Sequence, residues 1–253
     1  MDIRVLGCYG GADKTYRLTS FLVNDSFAVD AGALTDALSF EEQRAITDVY
    51  ISHIHFDHTL GLPFLIDNLF GSKDEPIRIH AHSEILNHLR THVFNNICWP
   101  DFSVLPNPER PTVQYVNVPV GKRTTICGLE VMPIWVNHQV PTAGLIVTDE
   151  GKSWVYPSDT RDTEEIWRVT NRLENPRLIF LECSFANEFK QLADESHHLT
   201  PNGVAKQLSK LNRITPVRIY HCKPSQIDVI ANEIAEIDHP DLAMLEQDKT
   251  YRV

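Results

Sequence analysis

Paired cysteines are missing from this sequence. It has five cysteines, an odd number, and no C-x-x-C pair, which argues against a disulfide framework. We therefore expect reduced thiols and a cytoplasmic location. No signal peptide is predicted at the start of the chain, and no apolar run is long enough to cross a bilayer, so we expect no membrane partner.

Basic charge is scarce. Lys and Arg number 23 against 34 Asp and Glu, giving a formal net charge of −11. Nucleic-acid binding draws on Lys and Arg contacts to phosphates, so a nucleic acid is not the expected partner. Repeats and linkers are also absent, and 253 residues with 42% hydrophobic composition predict one domain spanning residues 1–253. The oligomeric state stays open between a monomer and a homodimer.

Histidine, in contrast, is abundant, with twelve residues. The densest stretch is Ser52-His53-Ile54-His55-Phe56-Asp57-His58, an H-x-H-x-D-H motif. Residues 47–52 before it are typical of a short buried strand, and residues 59–70 after it of an apolar helix. The motif therefore lies where a strand ends and a helix begins, which is where ligands bind in open α/β sheets.

The spacing of this motif predicts metal binding. His53 and His55 are two residues apart and point to the same side of an extended segment, so they can hold one ion together. Asp57 and His58 follow one turn later and can reach a second ion. The alternative is a set of exposed or internally bonded histidines. Three crowded imidazoles without partners are costly to bury, so we favour the metal.

The remaining pattern predicts two strand-rich halves that each carry helices. Strands are predicted at residues 3–8, 18–23, 26–30, 47–52, 77–80, 113–118, 124–136 with an interruption at Gly128, 144–148, 153–156, 177–183, 216–220 and 243–253. Helices are predicted at residues 35–45, 59–70, from 83, from 162 to about 175, from 200 and at 225–237. This order favours an α/β (α+β) four-layer αββα sandwich over a single open sheet.

Residues 92–111 differ in character, because they combine aromatic side chains with several prolines. Two hypotheses stay open: a lid that stacks on a flat ligand, or a packed loop that covers the sheet edge. The histidines near this segment are predicted to be surface or capping groups rather than ligands: His80, His82, His88 and His92.

The H-x-H-x-D-H motif resembles the metal-binding signature of the metallo-β-lactamase fold superfamily, an αββα sandwich that holds two metals between its sheets. The resemblance implies a ligand set drawn from later segments as well: His53, His55 and His138 for the first metal, Asp57, His58 and His221 for the second, and Asp159 as a bridge. It also implies that Asp30 orients a ligand. Zinc is the expected metal, with manganese and iron as alternatives.

Residues 178–201 resemble the phosphodiesterase branches of that superfamily. The tRNA 3′-processing endonucleases carry a comparable Glu, here Glu182, and a His before a helix. The class II cyclic-nucleotide phosphodiesterases have a form ending in His-Leu-Thr-Pro, which His198 to Pro201 matches. Trp99-Pro100-Asp101-Phe102 also resembles the second family, so the resemblance is stronger to the cyclic-nucleotide enzymes.

The predicted catalytic residues are Asp57, Glu182 and His198. Two metal ions about 3.5–4 Å apart lower the pKa of a shared water, and Asp57 would hold one of them. A histidine paired with a carboxylate stays protonated to higher pH and can protonate a leaving oxygen. The alternative is that His198 caps a helix and Glu182 lies on the surface at a strand end.

We therefore predict an enzyme in which metal-bound hydroxide hydrolyses a 3′,5′-cyclic nucleotide, a small-molecule phosphodiester, to the 5′-monophosphate. Three alternatives follow from the same residues. One is an endonuclease that processes tRNA 3′ ends, although no glycine- and lysine-rich insertion is present. The second is a hydrolase of lactones or carboxylic esters. The third is a catalytically idle protein that binds metal or senses nucleotides.

Overall fold

The computed structural model describes residues 1–253, which form two seven-stranded sheets, a small two-stranded sheet and nine α-helices. The strands are β1 (Asp2–Gly7), β2 (Ser20–Val23), β3 (Phe27–Val29), β4 (Asp48–Tyr50), β5 (Ile77–Ala81), β6 (Pro106–Asn107), β7 (Arg110–Pro111), β8 (Val113–Asn117), β9 (Thr124–Ile126), β10 (Leu129–Trp135), β11 (Ala143–Asp149), β12 (Lys152–Tyr156), β13 (Asn175–Glu182), β14 (Val217–Tyr220), β15 (Leu242–Met244) and β16 (Thr250–Arg252). The helices are α1 (Leu34–Ala37), α2 (Phe40–Ala45), α3 (Phe56–Thr59), α4 (Gly61–Leu69), α5 (Ser83–His92), α6 (Glu165–Thr170), α7 (Lys190–Ser196), α8 (Pro201–Leu208) and α9 (Ile227–Ala235).

Each large sheet has an antiparallel half and a parallel half. The first sheet has the order β16-β1-β2-β3-β4-β5-β8 and becomes parallel from β3 onward. The second has the order β15-β14-β13-β12-β11-β10-β9 and is parallel from β12 to β15. The carboxyl ends of neighbouring parallel strands meet at one edge, so each sheet presents several strand ends side by side.

The two sheets pack face to face through an aromatic core. Phe21 of β2 lies at its centre, with ring centroids 5.7 Å from Trp154, 5.2 Å from Tyr156 and 5.2 Å from Phe180. All four side chains are completely buried. Rings at these separations and steep angles are favourable beyond their buried area, so this cluster holds the sheets together.

Helices cover the outer face of each sheet. A second apolar cluster joins the first sheet to helices that include α4 and α5, through residues such as Leu65 and Leu89. A third joins the other sheet to α6, α8 and α9, through residues such as Trp167 and Ile230. The predicted four-layer αββα sandwich is therefore confirmed. None of the helices combines the length and the apolar character that crossing a membrane would require.

The helix predicted at residues 35–45 is wrong as a single element, because it is divided into α1 and α2. Ser39 separates the two helices and accepts a hydrogen bond from the Glu42 backbone N–H at 3.3 Å, while the Glu42 carboxylate accepts one from the Ser39 N–H at 2.8 Å. This reciprocal arrangement is a capping box. It starts a new helix, so the chain changes direction at Leu38.

Two other boundaries were also predicted incorrectly. The helix expected from residue 162 begins at Glu165 without a side-chain cap, because Asp162 forms ion pairs with Lys206 and Lys210 instead. The single strand expected at 243–253 is two strands. Those strands, β15 and β16, lie at the outer edges of different sheets, and the turn between them includes Asp248 at a φ of 66°.

Residues 92–111 pack against the helices that cover the first sheet, at α4 and the residue that follows it. The ring of Phe102 is 4% exposed and its centroid lies 5.5 Å from that of Phe70. The ring of Trp99 lies 5.2 Å from Phe64 of α4, whereas Ile97 is 90% exposed. The contacts of Phe102 and Trp99 favour the packed loop over a lid.

A buried ionic cluster anchors the start of β4, at the end of the sheet opposite the histidine motif. The Asp48 carboxylate is buried and accepts hydrogen bonds from Arg78 Nε at 2.6 Å, His80 Nε2 at 2.7 Å and Cys127 Sγ at 2.9 Å. Burial by itself would raise the pKa of Asp48, but these hydrogen bonds outweigh it and hold the pKa well below its usual range. His80 is therefore a buried structural group, and the prediction that it lies at the surface or caps a helix is wrong, because the carboxylate of Asp48 holds it inside.

Replacing Asp48 with Asn is expected to lower the free energy of unfolding by about 3 kcal/mol at pH 7, because a buried charged network loses its acceptor. A depressed folded-state pKa contributes stability above the unfolded pKa, and this is lost as pH falls. The deficit of Asp48→Asn should therefore shrink below about pH 4. Urea unfolding at several pH values measures it, with exposed Asp74→Asn as the control. A deficit that does not change with pH would contradict this account.

Candidate metal centre

The histidine motif lies at the carboxyl end of β4, as the sequence predicts. The strand ends at Tyr50, and residues 51–55 run into the first turn of α3. His53 and His55 lie in this connection, and Asp57 and His58 lie in the helical turn. A strand end followed immediately by a helix start therefore presents all four side chains to the space between the sheets.

The second sheet delivers the other predicted ligands from its own strand ends. His138 follows β10, Asp159 follows β12 and His221 follows β14. Since β12 and β14 flank β13 in the parallel half of the sheet, their carboxyl ends lie near one another. The structure thus brings all seven predicted ligands to one place. Their role as ligands stays a prediction.

The first group contains three imidazoles. His53, His55 and His138 each offer one nitrogen, and these atoms all lie within 4.8 Å of one another. His138 Nε2 is 3.2 Å from His55 Nδ1. Burial lowers the pKa of His53 well below its usual value, and the neighbouring His58 lowers it further. The neutral imidazole that results has the free lone pair a metal ligand needs.

The second group contains two carboxylates and two imidazoles: Asp57, His58, Asp159 and His221. His221 Nε2 lies 3.1 Å from an oxygen of Asp57 and 3.1 Å from an oxygen of Asp159. The same Asp159 oxygen is 3.2 Å from His58 Nε2 and 3.8 Å from His53 Nε2. Asp159 therefore lies between the two groups, in the position that a bridging ligand would take.

The donor set fits divalent cations. Both carboxylate oxygens of Asp159 and the Nε2 atom of His53 are buried and have no hydrogen-bond partner. Buried polar atoms without partners are costly, and a cation between them would satisfy all three. Imidazole and carboxylate together suit zinc, manganese and iron. The arrangement supports divalent metal binding without selecting one of these metals.

Asp30 orients one of the imidazoles. It follows β3, is completely buried, and accepts hydrogen bonds from Ser52 N and Ser52 Oγ at 2.8 Å and from Tyr156 OH at 2.6 Å. Its carboxylate also lies 2.8 Å from His58 Nδ1. With a metal at Nε2, the ring proton of His58 would lie on Nδ1 and donate to Asp30, which would fix the ring. The geometry fits the supporting role predicted for Asp30.

Glu182 and His198 form a buried pair beside both groups. Glu182 ends β13 and is completely buried, and its Oε1 lies 2.9 Å from His198 Nδ1. The His198 ring lies 5.1 Å from the ring of His138 and 5.3 Å from that of His221. Burial by itself would lower the pKa of His198, but the Glu182 carboxylate outweighs it and raises the pKa.

The alternative roles considered for this pair do not match the structure. Thr200 caps α8, because its side chain accepts a hydrogen bond from Gly203 N at 3.4 Å. His198 is therefore not the cap, and Glu182 is not on the surface. His197 has a different environment: its imidazole lies near Arg161, and its backbone carbonyl accepts a hydrogen bond from His138 Nδ1 at 3.1 Å.

Sequence reasoning missed two residues of this region. Ser184 lies two positions after Glu182 and contacts both Glu182 and His221. Arg161 follows the predicted bridge Asp159 by two positions and lines, with His198, a cavity of about 210 Å³. Both lie two positions beyond a predicted site residue at a strand end. No local pattern distinguishes them there, because their contacts are with His221 and His197 of distant segments.

Comparison with known proteins matches residues 20–221 to the family described as "Beta-lactamase superfamily domain". The chain is 26% identical to a probable 3′,5′-cyclic-nucleotide phosphodiesterase of Yersinia pestis, over 88% of this chain and 78% of that protein. It is 31% identical to a ribonuclease Z of Natronomonas pharaonis, over 92% of this chain and 93% of that protein. The crystal structure of unliganded yeast PDE1 superposes with a TM-score of 0.80 at 20% identity, covering 98% of each chain.

Proposed function

Because the chain belongs to the β-lactamase superfamily, whose domain it matches over residues 20–221, we propose that this hydrolase of the metallo-β-lactamase fold converts a 3′,5′-cyclic nucleotide to the 5′-monophosphate. The observation that carries the proposal is the buried Glu182–His198 pair, 2.9 Å between Oε1 and Nδ1, beside the two ligand groups. The similarity to a probable cyclic-nucleotide phosphodiesterase supports it.

The residues that would hold two divalent cations are His53, His55 and His138 for one, Asp57, His58 and His221 for the other, and Asp159 for both. When bound, two such ions supply positive charge for phosphoryl oxygens and lower the pKa of a water molecule. Zinc is the metal that we propose; the donor set itself suits zinc, manganese and iron alike. Asp30 and the His197 carbonyl hold the rings of His58 and His138 in place.

His198 would supply the proton that the leaving 3′ oxygen requires. An alkoxide is a poor leaving group, so a positioned acid contributes about 10²–10⁴-fold to such a reaction. Glu182 accepts the Nδ1 proton of His198, which fixes the ring and leaves Nε2 as the donating atom. Glu182 also accepts hydrogen bonds from Thr160 N at 3.1 Å and Leu199 N at 3.2 Å, so its own position is fixed from two sides.

Replacing Glu182 with Gln is expected to move the high-pH decline of kcat to lower pH. The acidic form of His198 is the active one, and activity falls as pH rises through its pKa. The Glu182 charge raises that pKa, so removing the charge lowers it. A pH profile of kcat at saturating metal measures the shift, with exposed Glu188→Gln as the control. An unchanged descending limb would exclude His198 as the acid.

Arg161 favours an anionic substrate over a neutral ester. The one hydrogen bond of its guanidinium group goes to His197 Nε2 at 3.5 Å, and it pairs with no carboxylate. It lines the cavity of about 210 Å³ that also contacts His198. A cation without a carboxylate partner that lines the same cavity as the proposed acid is suited to a phosphate oxygen.

Replacing Arg161 with Ala is expected to raise KM for a phosphodiester about 10-fold, the equivalent of one charge-assisted hydrogen bond. The effect on kcat should be smaller, because Arg161 lies outside the ligand groups. Steady-state kinetics measure both constants. Arg168→Ala is the matched control, since Arg168 pairs with Glu165 on the exposed surface of α6. A KM equal to that of the unmodified protein would remove Arg161 from substrate binding.

The function is tested by measuring turnover of cyclic AMP, cyclic GMP, bis-p-nitrophenyl phosphate, a lactone and a precursor tRNA with one preparation of known metal content. We expect turnover of at least one cyclic nucleotide. The second candidate is 3′ processing of tRNA precursors, which the 31% identity to a ribonuclease Z favours and the net charge of −11 disfavours. Cleavage of the precursor without turnover of either cyclic nucleotide would establish that alternative.

A further inference from the structure

The hydroxyl of Ser184 joins the second ligand group to the proposed proton donor. Ser184 is completely buried. Its Oγ lies 2.9 Å from His221 Nδ1, 3.2 Å from Glu182 Oε2 and 3.1 Å from His198 Nδ1. No other side chain lies within hydrogen-bonding distance of both a predicted metal ligand and both members of the Glu182–His198 pair.

The hydrogen bonds around Ser184 have one consistent direction. His221 Nε2 faces Asp57 and Asp159, so a metal would take Nε2 and the ring proton would remain on Nδ1. That N–H must then donate to Ser184 Oγ. A hydroxyl has one proton to donate, and this one needs an acceptor among the two remaining neighbours.

The acceptor is Glu182. His198 Nδ1 already donates to Glu182 Oε1 at 2.9 Å, so it has no lone pair for the Ser184 proton. The Glu182 Oε2 atom is an acceptor at 3.2 Å. The chain therefore runs from His221 to Ser184 to Glu182, and Glu182 in turn orders the ring of His198.

We propose that Ser184 is a positioning residue that fixes the ring of His221 and the carboxylate of Glu182 through one directed chain of hydrogen bonds. The proposal rests on the proposed function for its catalytic part and on the ligand geometry alone for its metal part. It predicts that one hydroxyl controls two properties: the affinity for metal at the second group and the placement of the proton donor.

Removing this hydroxyl should weaken both. In Ser184→Ala the buried His221 Nδ1–H and one Glu182 oxygen each lose a partner. Removing a hydrogen-bond partner of a metal-binding imidazole typically lowers the metal affinity about 10–100-fold. We expect metal binding to be weaker by that factor. At saturating metal we expect kcat for cyclic AMP to fall about 10-fold with KM within about two-fold, because the donor is misplaced while the substrate contacts remain.

The experiment compares Ser184→Ala with Ser184→Gly and Ser153→Ala. Glycine also removes the hydroxyl and brings no atom that binds zinc, so Ser184→Gly should show the same losses and serves as a second variant. Ser153 is also buried and hydroxyl-bonded, to Thr148 Oγ1 at 2.8 Å, away from the site. Zinc affinity is measured by competition with a chromophoric chelator, and kinetics with bis-p-nitrophenyl phosphate and cyclic AMP.

The outcomes separate this proposal from the proposed function. Wild-type zinc affinity in both Ser184 variants, or losses equal to those of Ser153→Ala, would overturn the positioning role. Weaker zinc binding together with a lower kcat at unchanged KM would support it. If the unmodified protein turns over no phosphodiester, the proposed function fails, and the zinc measurement still decides whether Ser184 positions His221.

Discussion

Replacing His198 with Ala should lower kcat for cyclic AMP by about 10²–10⁴-fold, the contribution of a general acid, while the protein keeps its metal. The ring donates to Glu182 Oε1 and lies beside the rings of His138 and His221. It is therefore close to both ligand groups without belonging to the seven predicted ligands. Elemental analysis alongside steady-state kinetics measures the two properties in the same sample.

The leaving group makes this prediction specific. p-Nitrophenolate departs without a proton, whereas a 3′ alkoxide does not, so bis-p-nitrophenyl phosphate should lose far less activity than cyclic AMP in His198→Ala. His197→Ala is the matched control, because it removes the neighbouring imidazole and keeps the backbone carbonyl that contacts His138. Equal losses on the two substrates would mean that His198 acts in binding or structure rather than as an acid.

Replacing Asp159 with Ala is expected to lower kcat by at least about 10³-fold and to reduce the bound metal, because Asp159 is the predicted shared ligand of two ions that would supply several kcal/mol of charge stabilisation. Asp159 is 1% exposed, and both of its oxygens lack a hydrogen-bond partner. Without it, the imidazoles of His53, His58 and His221 lose the anion between them. Metal stoichiometry after dialysis and kcat at added zinc are the measurements.

A nearby carboxylate serves as the control for that variant. Asp162 lies three positions later and pairs with Lys206 and Lys210 outside the ligand groups, so Asp162→Ala should keep its metal. Full metal content in Asp159→Ala, with activity reduced only as much as in Asp162→Ala, would show that Asp159 does not bridge. Partial metal loss restored by added zinc, with kcat still low, would agree with a bridge.

Local sequence could predict the first half of the site and not the second. His53, His55, Asp57 and His58 are adjacent in sequence and follow a recognisable strand, so their proximity requires only β4 and α3. His138, Asp159 and His221 meet them because two sheets pack face to face and β12, β13 and β14 pair in parallel. That pairing order depends on contacts between distant residues, so only the family resemblance could supply those three.

The errors in element boundaries have the same origin. Asp is a residue type that often caps helices, but the carboxylate of Asp162 instead pairs with Lys206 and Lys210 of a distant segment.

The missed site residue has a similar explanation. Ser184 was missed because a serine after a strand is common, and its importance arises from His221, which is 37 positions away. Tertiary partners that local patterns do not record decided both outcomes.

The division of the predicted ligands between two sheets has a consequence for folding. Four of them come from the carboxyl end of β4 and its following helix, and three from the ends of β10, β12 and β14. Bound ions would therefore act as a cross-link between the two halves of the sandwich. A free ion concentration of 100 times the dissociation constant would add about 2.7 kcal/mol per site to the free energy of unfolding. Removing the ions with a chelator should accordingly increase backbone hydrogen exchange first at the ends of β4, β10, β12 and β14, while the aromatic core around Phe21 stays protected.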